Sequence, residues 1–325
     1  MKFFDRTEEI QQLRQIRDRA SASARFTVLT GRRRVGKTEL IRESYKDSPS
    51  IYFYVSKKTQ AALCEEFASI AGKVIGRSIP GRISRFSEIF RFILEESVHR
   101  PLTLVIDEFQ EVSELGLGPQ FERTMRSVIE RQTNVSYVFL GSKAHLIERM
   151  FSAKSRPFYN AAQKFALTRP PAEESATFLV DRFKSSGISL AKPLADEMVR
   201  RADNVPYYLQ ALGSWVFNAT TCRNSKSVSK PDIEEGFSDL YETERILLED
   251  TFAAHSQSQR LLMRALATEP AAIFNEDYRN RHALASTSTV NTALRRLLAE
   301  STIECDSGTY RLANPLLIHH LARQA

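Results

Sequence analysis

Eight residues near the start of the chain have the types and spacing of a phosphate-binding loop. They fit the pattern G-x-x-x-x-G-K-S/T and read Gly31, Arg32, Arg33, Arg34, Val35, Gly36, Lys37 and Thr38. Glycines let a backbone wrap closely around an anion, and the N–H groups of such a loop point at the phosphates. We expect Lys37 to reach the β- and γ-phosphates of a nucleotide and the Thr38 hydroxyl to hold Mg²⁺.

An acidic pair at the end of an apolar run is the second candidate for chemistry. Asp107 and Glu108 directly follow the run at residues 104–106. Phosphoryl transfer needs a cation clamp and a placed nucleophile, because its catalysis is mostly positioning and charge neutralisation. We predict that Asp107 holds Mg²⁺ through a water molecule and that Glu108 orients or deprotonates the attacking water. Glu108 and Lys37 are therefore candidate catalytic residues.

The dipeptide Gly141-Ser142, which ends the next apolar run, is a third feature. Ser142 is a candidate catalytic residue that senses the γ-phosphate from a position between the two acids. A plain strand-terminating turn explains the same dipeptide about equally well, so both interpretations stay open.

A sheet must position these residues, since they lie at the ends of β-rich runs. Runs that predict strands lie at residues 24–29, 51–55, 102–106, 135–140 and 163–168. Helical patterns lie between them at residues 38–45, 59–76, 84–98, 119–132 and 143–151. This alternation is typical of a parallel sheet with helices on both faces, so we predict an α/β P-loop NTPase core.

The chain beyond Pro170-Pro171 is predicted to be mostly helical. Amphipathic segments that predict a helical lid lie at residues 172–185, 194–202 and 207–219. The polar stretch at residues 221–231 is the best candidate for a linker.

The last third of the chain has the order of a winged helix-turn-helix domain. A helix at 286–300 precedes a hairpin that turns at residues 306–308, and a helix at 315–322 follows. We therefore predict three domains: a P-loop ATPase core over residues 1–170, a helical lid over 171–230 and a winged-helix domain over 231–325.

Composition narrows the class of protein and its partners. The net charge of +7 suits a polyanion without requiring one. Three cysteines far apart in the chain argue against a disulfide framework or a zinc site and favour the reducing cytoplasm. No apolar run approaches the length of a membrane span, so we expect no membrane partner.

Taken together, the motifs resemble the archaeal-type P-loop ATPase family, a branch of the AAA+/STAND NTPases. The resemblance spans residues 3–215 and is carried by the three-arginine P-loop, Ile-Asp-Glu-Phe-Gln at 106–110, Leu-Gly-Ser at 140–142 and Asn-Val-Pro-Tyr-Tyr-Leu at 204–209. It implies ATP or ADP with Mg²⁺ as ligands, and a C-terminal winged helix is usual in the group.

The resemblance also implies roles for residues outside the P-loop. Phe4, Asp5 and Arg6 would line the adenine pocket. Glu39 follows the P-loop, as in the family's motif, and would be one of the residues that contact the nucleotide. Pro206 would contact the nucleotide from the lid.

Two positions depart from the family pattern. Asn204 replaces a lid glycine, and asparagine still tolerates the left-handed backbone. Ala161 replaces an arginine that follows the sensor helix. If that arginine helps catalysis or contact between subunits of a homo-oligomer, Arg156 or Arg149 would have to substitute for it.

Candidate DNA contacts lie on the helix predicted to enter a groove. They are Asn291, Thr292, Arg295 and Arg296. Residues 281–325 carry five arginines against three acidic residues, a net of +2, whereas DNA readers often carry a stronger basic patch. On charge grounds, DNA contact and a purely structural role are evenly balanced.

The first functional hypothesis is an ATP-hydrolysing molecular switch that couples nucleotide state to double-stranded DNA or to a protein partner through the winged helix. One alternative is a DNA-binding module that holds the nucleotide as a structural ligand with negligible turnover. Another is a regulatory subunit of a separate effector such as a nuclease.

Overall fold

A computed structural model of the chain describes residues 6–21, 24–79, 81, 83–116, 118–129, 134–306 and 308–324. The chain divides into two compact units, Met1–Thr168 and Arg169–Ala325, named unit 1 and unit 2. Phe4, Asp5 and Ser307 lie outside the described ranges. The division into three domains at residues 170 and 230 stays a prediction. No helix within the described ranges is long and apolar enough to cross a membrane.

Unit 1 is built on a parallel sheet of five strands in the order β2-β3-β4-β1-β5. The strands are β1 (Arg25–Gly31), β2 (Ser50–Tyr54), β3 (Leu102–Asp107), β4 (Val135–Gly141) and β5 (Gln163–Leu167). The predicted α/β fold with a parallel sheet is confirmed, and each strand lies within two residues of its predicted bounds.

Burial explains why the two middle strands read as continuous apolar runs. Every residue of β3 and β4 is buried, as expected for parallel strands covered on both faces. The carboxyl ends of β1, β3 and β4 meet at one edge, because Thr30 pairs with Gly141 and Ile106 with Phe139. Ligands of open α/β sheets bind outside this edge.

Helices cover both faces of the sheet. They are α1 (Thr7–Asp18), α2 (Lys37–Tyr45), α3 (Gln60–Ile75), α4 (Phe86–Ser97), α5 (Glu111–Glu114), α6 (Gly118–Ile129) and α7 (Ala144–Ser152). No element was predicted for α1, although its buried residues Leu13 and Ile16 are three positions apart on one face. The apolar core lies in two clusters, a larger one around Phe53, Phe109 and Phe139 and a smaller one around Leu29, Leu40 and Val138.

The described residues of unit 2 form mainly helices, together with an antiparallel hairpin. Its helices are α8 (Ala172–Ser185), α9 (Lys192–Arg201), α10 (Pro206–Cys222), α11 (Lys230–Ala253), α12 (Gln257–Thr268), α13 (Glu276–Arg281), α14 (Thr287–Ala299) and α15 (Pro315–Ala322). The hairpin strands are β6 (Ile303–Asp306) and β7 (Thr309–Leu312), and Tyr310 also bridges to Ala271. The predicted C-terminal winged-helix arrangement is confirmed.

The long helix α11 is another element that the sequence patterns did not predict. Ser229 and Asp232 form a capping box at its start, and Pro231 lies in its first turn. The predicted linker before α11 is held by backbone hydrogen bonds. The carbonyl of Ser189 accepts the N–H of Val228, and the N–H of Ser189 donates to the carbonyl of Lys226. One buried apolar cluster runs from Ala176 to Leu321 across this segment.

Stability prediction: Tyr137, on β4, is fully buried and its hydroxyl has no hydrogen-bond partner among the described residues. Burial raises the pKa of its phenol well above the ordinary value. We expect Tyr137→Phe to raise the free energy of unfolding by about 1 kcal/mol, since it removes an unsatisfied polar group and keeps the ring stacked on Phe26.

Chemical denaturation followed by circular dichroism measures this change. Tyr241→Phe is the matched control, because the buried Tyr241 hydroxyl is hydrogen-bonded to Nδ1 of His320 at 3.0 Å. That variant is expected to lose about 1 kcal/mol. A destabilised Tyr137→Phe protein would contradict the prediction.

Candidate nucleotide-binding site

The predicted P-loop lies between β1 and α2 at the carboxyl edge of the sheet. A Cβ added at Gly31 would lie 2.6 Å from the carbonyl oxygen of Leu167, so the tight pairing with β5 requires glycine there. Arg34 (φ 67°) and Gly36 (φ 99°) adopt the left-handed backbone. For Arg34 this conformation costs about 1–2 kcal/mol, a strain that is typical of functional loops.

Lys37 is buried at the start of α2, with 8% of its surface exposed. Its ammonium donates hydrogen bonds to the carbonyls of Gly31 at 2.7 Å and Arg32 at 2.9 Å. Burial lowers the pKa of Lys37, while the nearby carboxylates of Glu108 and Asp107 act in the opposite direction. The P-loop therefore holds a desolvated cation beside the acidic pair, a feature that marks functional sites.

Thr38 and Asp107 come together from different elements. The Thr38 hydroxyl lies 3.4 Å from Oδ2 of Asp107, and Oδ1 of Asp107 accepts the N–H of Glu108 at 2.8 Å. Mg²⁺ takes hard oxygen ligands at about 2.1 Å in octahedral geometry, which places neighbouring ligand oxygens about 3 Å apart. This hydroxyl and carboxylate therefore match the ligand set of Mg²⁺.

Tyr52 joins this pair from β2. Its hydroxyl donates to Oδ2 of Asp107 and lies 3.4 Å from the Thr38 hydroxyl. Burial raises the pKa of Tyr52, and the hydrogen bond to Asp107 adds to the rise. The phenol therefore stays a donor that orients the carboxylate of Asp107.

Glu108 is fixed in both backbone and side chain. Its φ of 51° lies in the left-handed region. The oxygen Oε2 accepts the hydroxyl of Ser142 at 2.9 Å and the side-chain amide of Gln110. The structure thus brings together Lys37, Thr38, Asp107, Glu108 and Ser142, as their motifs predicted; their individual roles stay predictions.

Other predicted contacts in unit 1 have protein partners of their own. Arg6 donates to the carbonyl of Thr168 at 2.6 Å and to Glu9 at 3.1 Å. Glu39 is exposed and paired with Arg42 at 2.8 Å. Of the loop arginines, Arg33 and Arg34 are exposed and Arg32 is half-buried; Val35 is buried in the core. Nucleotide contact by these residues stays a prediction.

The two candidate replacements for the missing arginine differ in their surroundings. Arg156 donates to the fully buried Glu122 and to the Ser113 hydroxyl at 3.2 Å. Burial raises the pKa of Glu122, and Arg156 opposes that rise. Arg149 is exposed on α7. Arg156 is therefore committed to an ion pair inside unit 1, and Arg149 is the candidate that faces solvent.

The remaining predicted residues lie in unit 2. Pro206 begins α10, and the preceding Asn204 has a φ of 50°, the left-handed backbone expected where the family has glycine. On α14, Thr292, Arg295 and Arg296 are exposed and Asn291 is half-buried. Contact of Pro206 with nucleotide stays a prediction.

Sequence reasoning gave no role to two residues of the site, Tyr52 and Gln110, although Gln110 ends the motif at residues 106–110. Tyr52 lies in a run that predicts a buried strand, and only the order of the strands shows that β2 lies beside β3. The sequence does contain a sign that Gln110 is buried. It lies between Phe109 and Val112, two apolar residues that are buried in the same turn. A buried amide needs hydrogen-bond partners, and this one lies two positions after the predicted catalytic Glu108.

Comparison with known proteins identifies the family. Residues 3–212 match the family described as an ATPase domain predominantly from Archaea. The chain belongs to this family. Residues 247–323 of this archaeal-type ATPase match a second family, described as a probable winged helix domain. The predicted resemblance to archaeal ATPases with a winged helix is thus confirmed.

A curated relative of the archaeal-type ATPase comes from Methanocaldococcus jannaschii. Its name is "Uncharacterized protein MJECL04", and it is 26% identical over 215 residues, which are 64% of this chain and 43% of the relative. The matched part is thus less than half of the relative's length.

Solved structures share the fold of the archaeal-type ATPase at low identity. The Walker-type ATPase PABY2304 of Pyrococcus abyssi has a TM-score of 0.77 at 18% identity, covering 98% of this chain and 96% of its own. The structure of ORC2 from Aeropyrum pernix in ADPNP–ADP complexes has a TM-score of 0.71 at 15% identity, and the match covers 98% of this chain and 93% of the ORC2 chain. The structure of ORC1 from the same organism, in complex with DNA, has a TM-score of 0.56 at 14% identity, and the match covers 99% of this chain and 93% of the ORC1 chain.

Metal-affinity prediction: Tyr52→Phe removes the donor that orients Asp107. Loss of a group behind a metal ligand typically costs about 10- to 100-fold in metal affinity. We expect the Mg²⁺ concentration needed for tight ATP binding to rise about tenfold, while ATP affinity in EDTA stays the same. Isothermal titration at several Mg²⁺ concentrations measures both.

Tyr54→Phe is the matched control, since Tyr54 lies on the same strand and is 51% exposed. Equal Mg²⁺ dependence in the Tyr52→Phe protein and the wild type would show that Tyr52 does not orient the metal ligand.

Proposed function

We propose that this protein is an ATP-hydrolysing molecular switch whose nucleotide state controls engagement of double-stranded DNA through its winged helix. The observation that supports hydrolysis is the fixed carboxylate of Glu108 beside Lys37, Asp107 and Thr38. These residues supply a phosphate-binding cation, a metal-binding pair and a base, the three parts that phosphoryl transfer to water needs.

Each residue has one task in this proposal. Lys37 and the P-loop N–H groups bind the β- and γ-phosphates. Thr38 and Asp107 hold Mg²⁺, which neutralises charge that develops on the phosphate oxygens. Glu108 orients the attacking water and accepts its proton, while Ser142 holds one oxygen of that carboxylate.

Turnover prediction: Lys37→Ala removes the cation that binds phosphate, and we expect ATP affinity to fall at least about 100-fold. Glu108→Gln keeps the shape of the site but removes the base, so ATP stays bound and phosphate release falls about 100-fold or more. ATP titration and steady-state phosphate release, with and without duplex DNA, measure the two effects.

Lys46→Ala is the matched control for Lys37→Ala, because Lys46 is an exposed residue at the end of α2 that is paired with Glu43 at 2.7 Å. Tight Mg²⁺–ATP binding by Lys37→Ala would disprove the site. If the wild type releases phosphate no faster than a protein-free blank, both with and without duplex DNA, the result would favour a DNA-binding module with a structural nucleotide.

An ion network in unit 2 supports coupling between the lid and the winged helix. Arg169, at the start of the unit, binds Asp203 at 2.8 Å and Glu304 at 3.0 Å. Arg311 binds the same Glu304 and lies 3.4 Å from Asp203. Glu304 and Arg311 face each other on the β6–β7 hairpin, and Asp203 lies three residues before Pro206.

The network makes the position of the hairpin depend on the loop before Pro206. Glu304 is 7% exposed, so each arginine compensates a largely desolvated charge, and loss of one partner is costly. Asp203 and Asn204 both have left-handed backbones, and the Asn204 amide donates to the carbonyl of Pro170 at 2.7 Å. Because these bonds hold the loop together, all of its residues would move as one body if contacts with a nucleotide displaced it.

The exposed face of α14 supports DNA as the partner. Its buried face is Val290, Ala293, Leu294 and Leu297, which leaves Thr292, Arg295 and Arg296 exposed. A guanidinium suits phosphate oxygens and guanine edges. The similar ORC1 structure is a DNA complex.

Coupling prediction: we expect duplex affinity measured by fluorescence anisotropy to differ at least about fivefold between a non-hydrolysable ATP analogue and ADP. Glu304→Gln together with Arg311→Met removes two charges of the network, and the ratio of affinities should approach one. Arg295→Ala with Arg296→Ala should lower affinity in both states and reduce the salt slope by about 2.

Arg245→Met is the matched control for the network, because Arg245 pairs with Glu242 and Glu249 on the exposed side of α11. A wild-type affinity ratio in the folded double network variant would disprove coupling through these residues. An unchanged salt slope in the α14 variant would place DNA binding elsewhere.

A further inference from the structure

Gln110 ends the motif at residues 106–110, but no role has been given to its side chain. Its side chain is fully buried, and its amide nitrogen donates to Oε2 of Glu108. The same oxygen accepts the Ser142 hydroxyl at 2.9 Å. One oxygen of the proposed base is therefore held by two donors that come from different strands' ends.

The turn after β3 fixes where this amide lies. The N–H of Phe109 donates to the carbonyl of Leu140 at 2.9 Å, and the N–H of Ser113 donates to the carbonyl of Gln110 at 3.0 Å. These bonds join the turn to β4 on one side and to α5 on the other. The backbone of Gln110 is thus held independently of its side chain.

Gly141 leaves the space that the amide occupies. A Cβ at this position would lie 2.4 Å from Oε1 of Gln110 and 2.6 Å from Cγ1 of Ile147. The φ of Gly141 is not in the left-handed region, so glycine is needed here for space rather than for backbone freedom. The space at the end of β4 is therefore matched to the side chain of Gln110.

The cost of burying this amide points to a functional reason for it. Oε1 of Gln110 is buried and has no hydrogen-bond partner among the described residues. A methionine would fill a similar volume without an unsatisfied acceptor. The one polar contact that the amide makes in the described part of the chain is with Glu108.

We infer that Gln110 is a positioning residue for ATP hydrolysis, an inference that rests on the proposed function. Together with Ser142 it anchors Oε2 of Glu108, so that the other carboxylate oxygen accepts the proton from the attacking water. In that step the water oxygen bonds to the γ-phosphorus, the bond from the γ-phosphorus to the bridging oxygen breaks, and the water proton passes to Glu108.

The test is a mutant cycle with Gln110→Met and Glu108→Gln. Alone, Gln110→Met removes the donor and keeps the volume, so the kcat for phosphate release should fall about 10- to 100-fold, the loss expected from one hydrogen bond to a charged group. The Kd for Mg²⁺–ATP should change less than twofold. In the Glu108→Gln background the same change should have little further effect, because the group it positions has already lost its function.

Each outcome has one interpretation. An unchanged kcat in Gln110→Met, in a wild type that hydrolyses ATP, overturns the positioning role and leaves the proposed function intact. An equal fold-loss in both backgrounds, or a matching loss of ATP affinity, shows a structural role and also overturns it. A wild type that binds ATP without turnover overturns the proposed hydrolysis, and the positioning role with it.

A second variant keeps the test decisive if Gln110→Met does not fold. Gln110→Asn keeps the amide but shortens the side chain by one methylene, so the donor no longer reaches Glu108. It should show the same loss of kcat at unchanged Kd. Normal turnover by a folded Gln110→Asn protein would overturn the inference.

Discussion

The parallel register of β1, β3 and β4 is the constraint on which the site depends. Gly31, Asp107 and Gly141 are the last residues of these three strands, and they are separated by 76 and 34 positions in the chain. Pairing of Thr30 with Gly141 and of Ile106 with Phe139 brings them to one edge. A shift of one residue in any strand would turn every side chain of that strand to the opposite face of the sheet and separate the groups that now touch.

The ionisable groups at this edge stabilise one another within a small volume. A desolvated ammonium and two carboxylates would each be costly alone, because a buried charge is stabilised only by opposite charge and by hydrogen bonds. Here the P-loop carbonyls accept from Lys37, the Tyr52 hydroxyl donates to Asp107, and Ser142 donates to Glu108. The two middle strands beneath, β3 and β4, are fully buried, and these polar groups bind one another at the carboxyl ends of the strands.

Local patterns predicted most of the fold and the motif residues, whereas contacts between distant segments were not predictable. The strands were visible because buried parallel strands are continuous apolar runs, and the P-loop because its spacing is set within eight residues. Tyr52 reaches Asp107 only through the order of the strands, which the sequence patterns do not specify. Helix α11 was missed because charged residues fall among its apolar positions, for instance Glu234 and Glu235 after Ile233.

The close packing of α10 on α11 has a mechanical consequence. A Cβ at Gly236 would lie 2.7 Å from the backbone nitrogen of Val216, so the two helix backbones are nearly in contact and cannot slide past each other without a clash. Helix α10 starts at Pro206, and α11 has 24 residues, a length of about 36 Å at 1.5 Å per residue. In a helix of this length, a tilt of about 10° at one end would displace the other end by about 6 Å, so the close contact at Gly236 would carry such a displacement from one helix to the other.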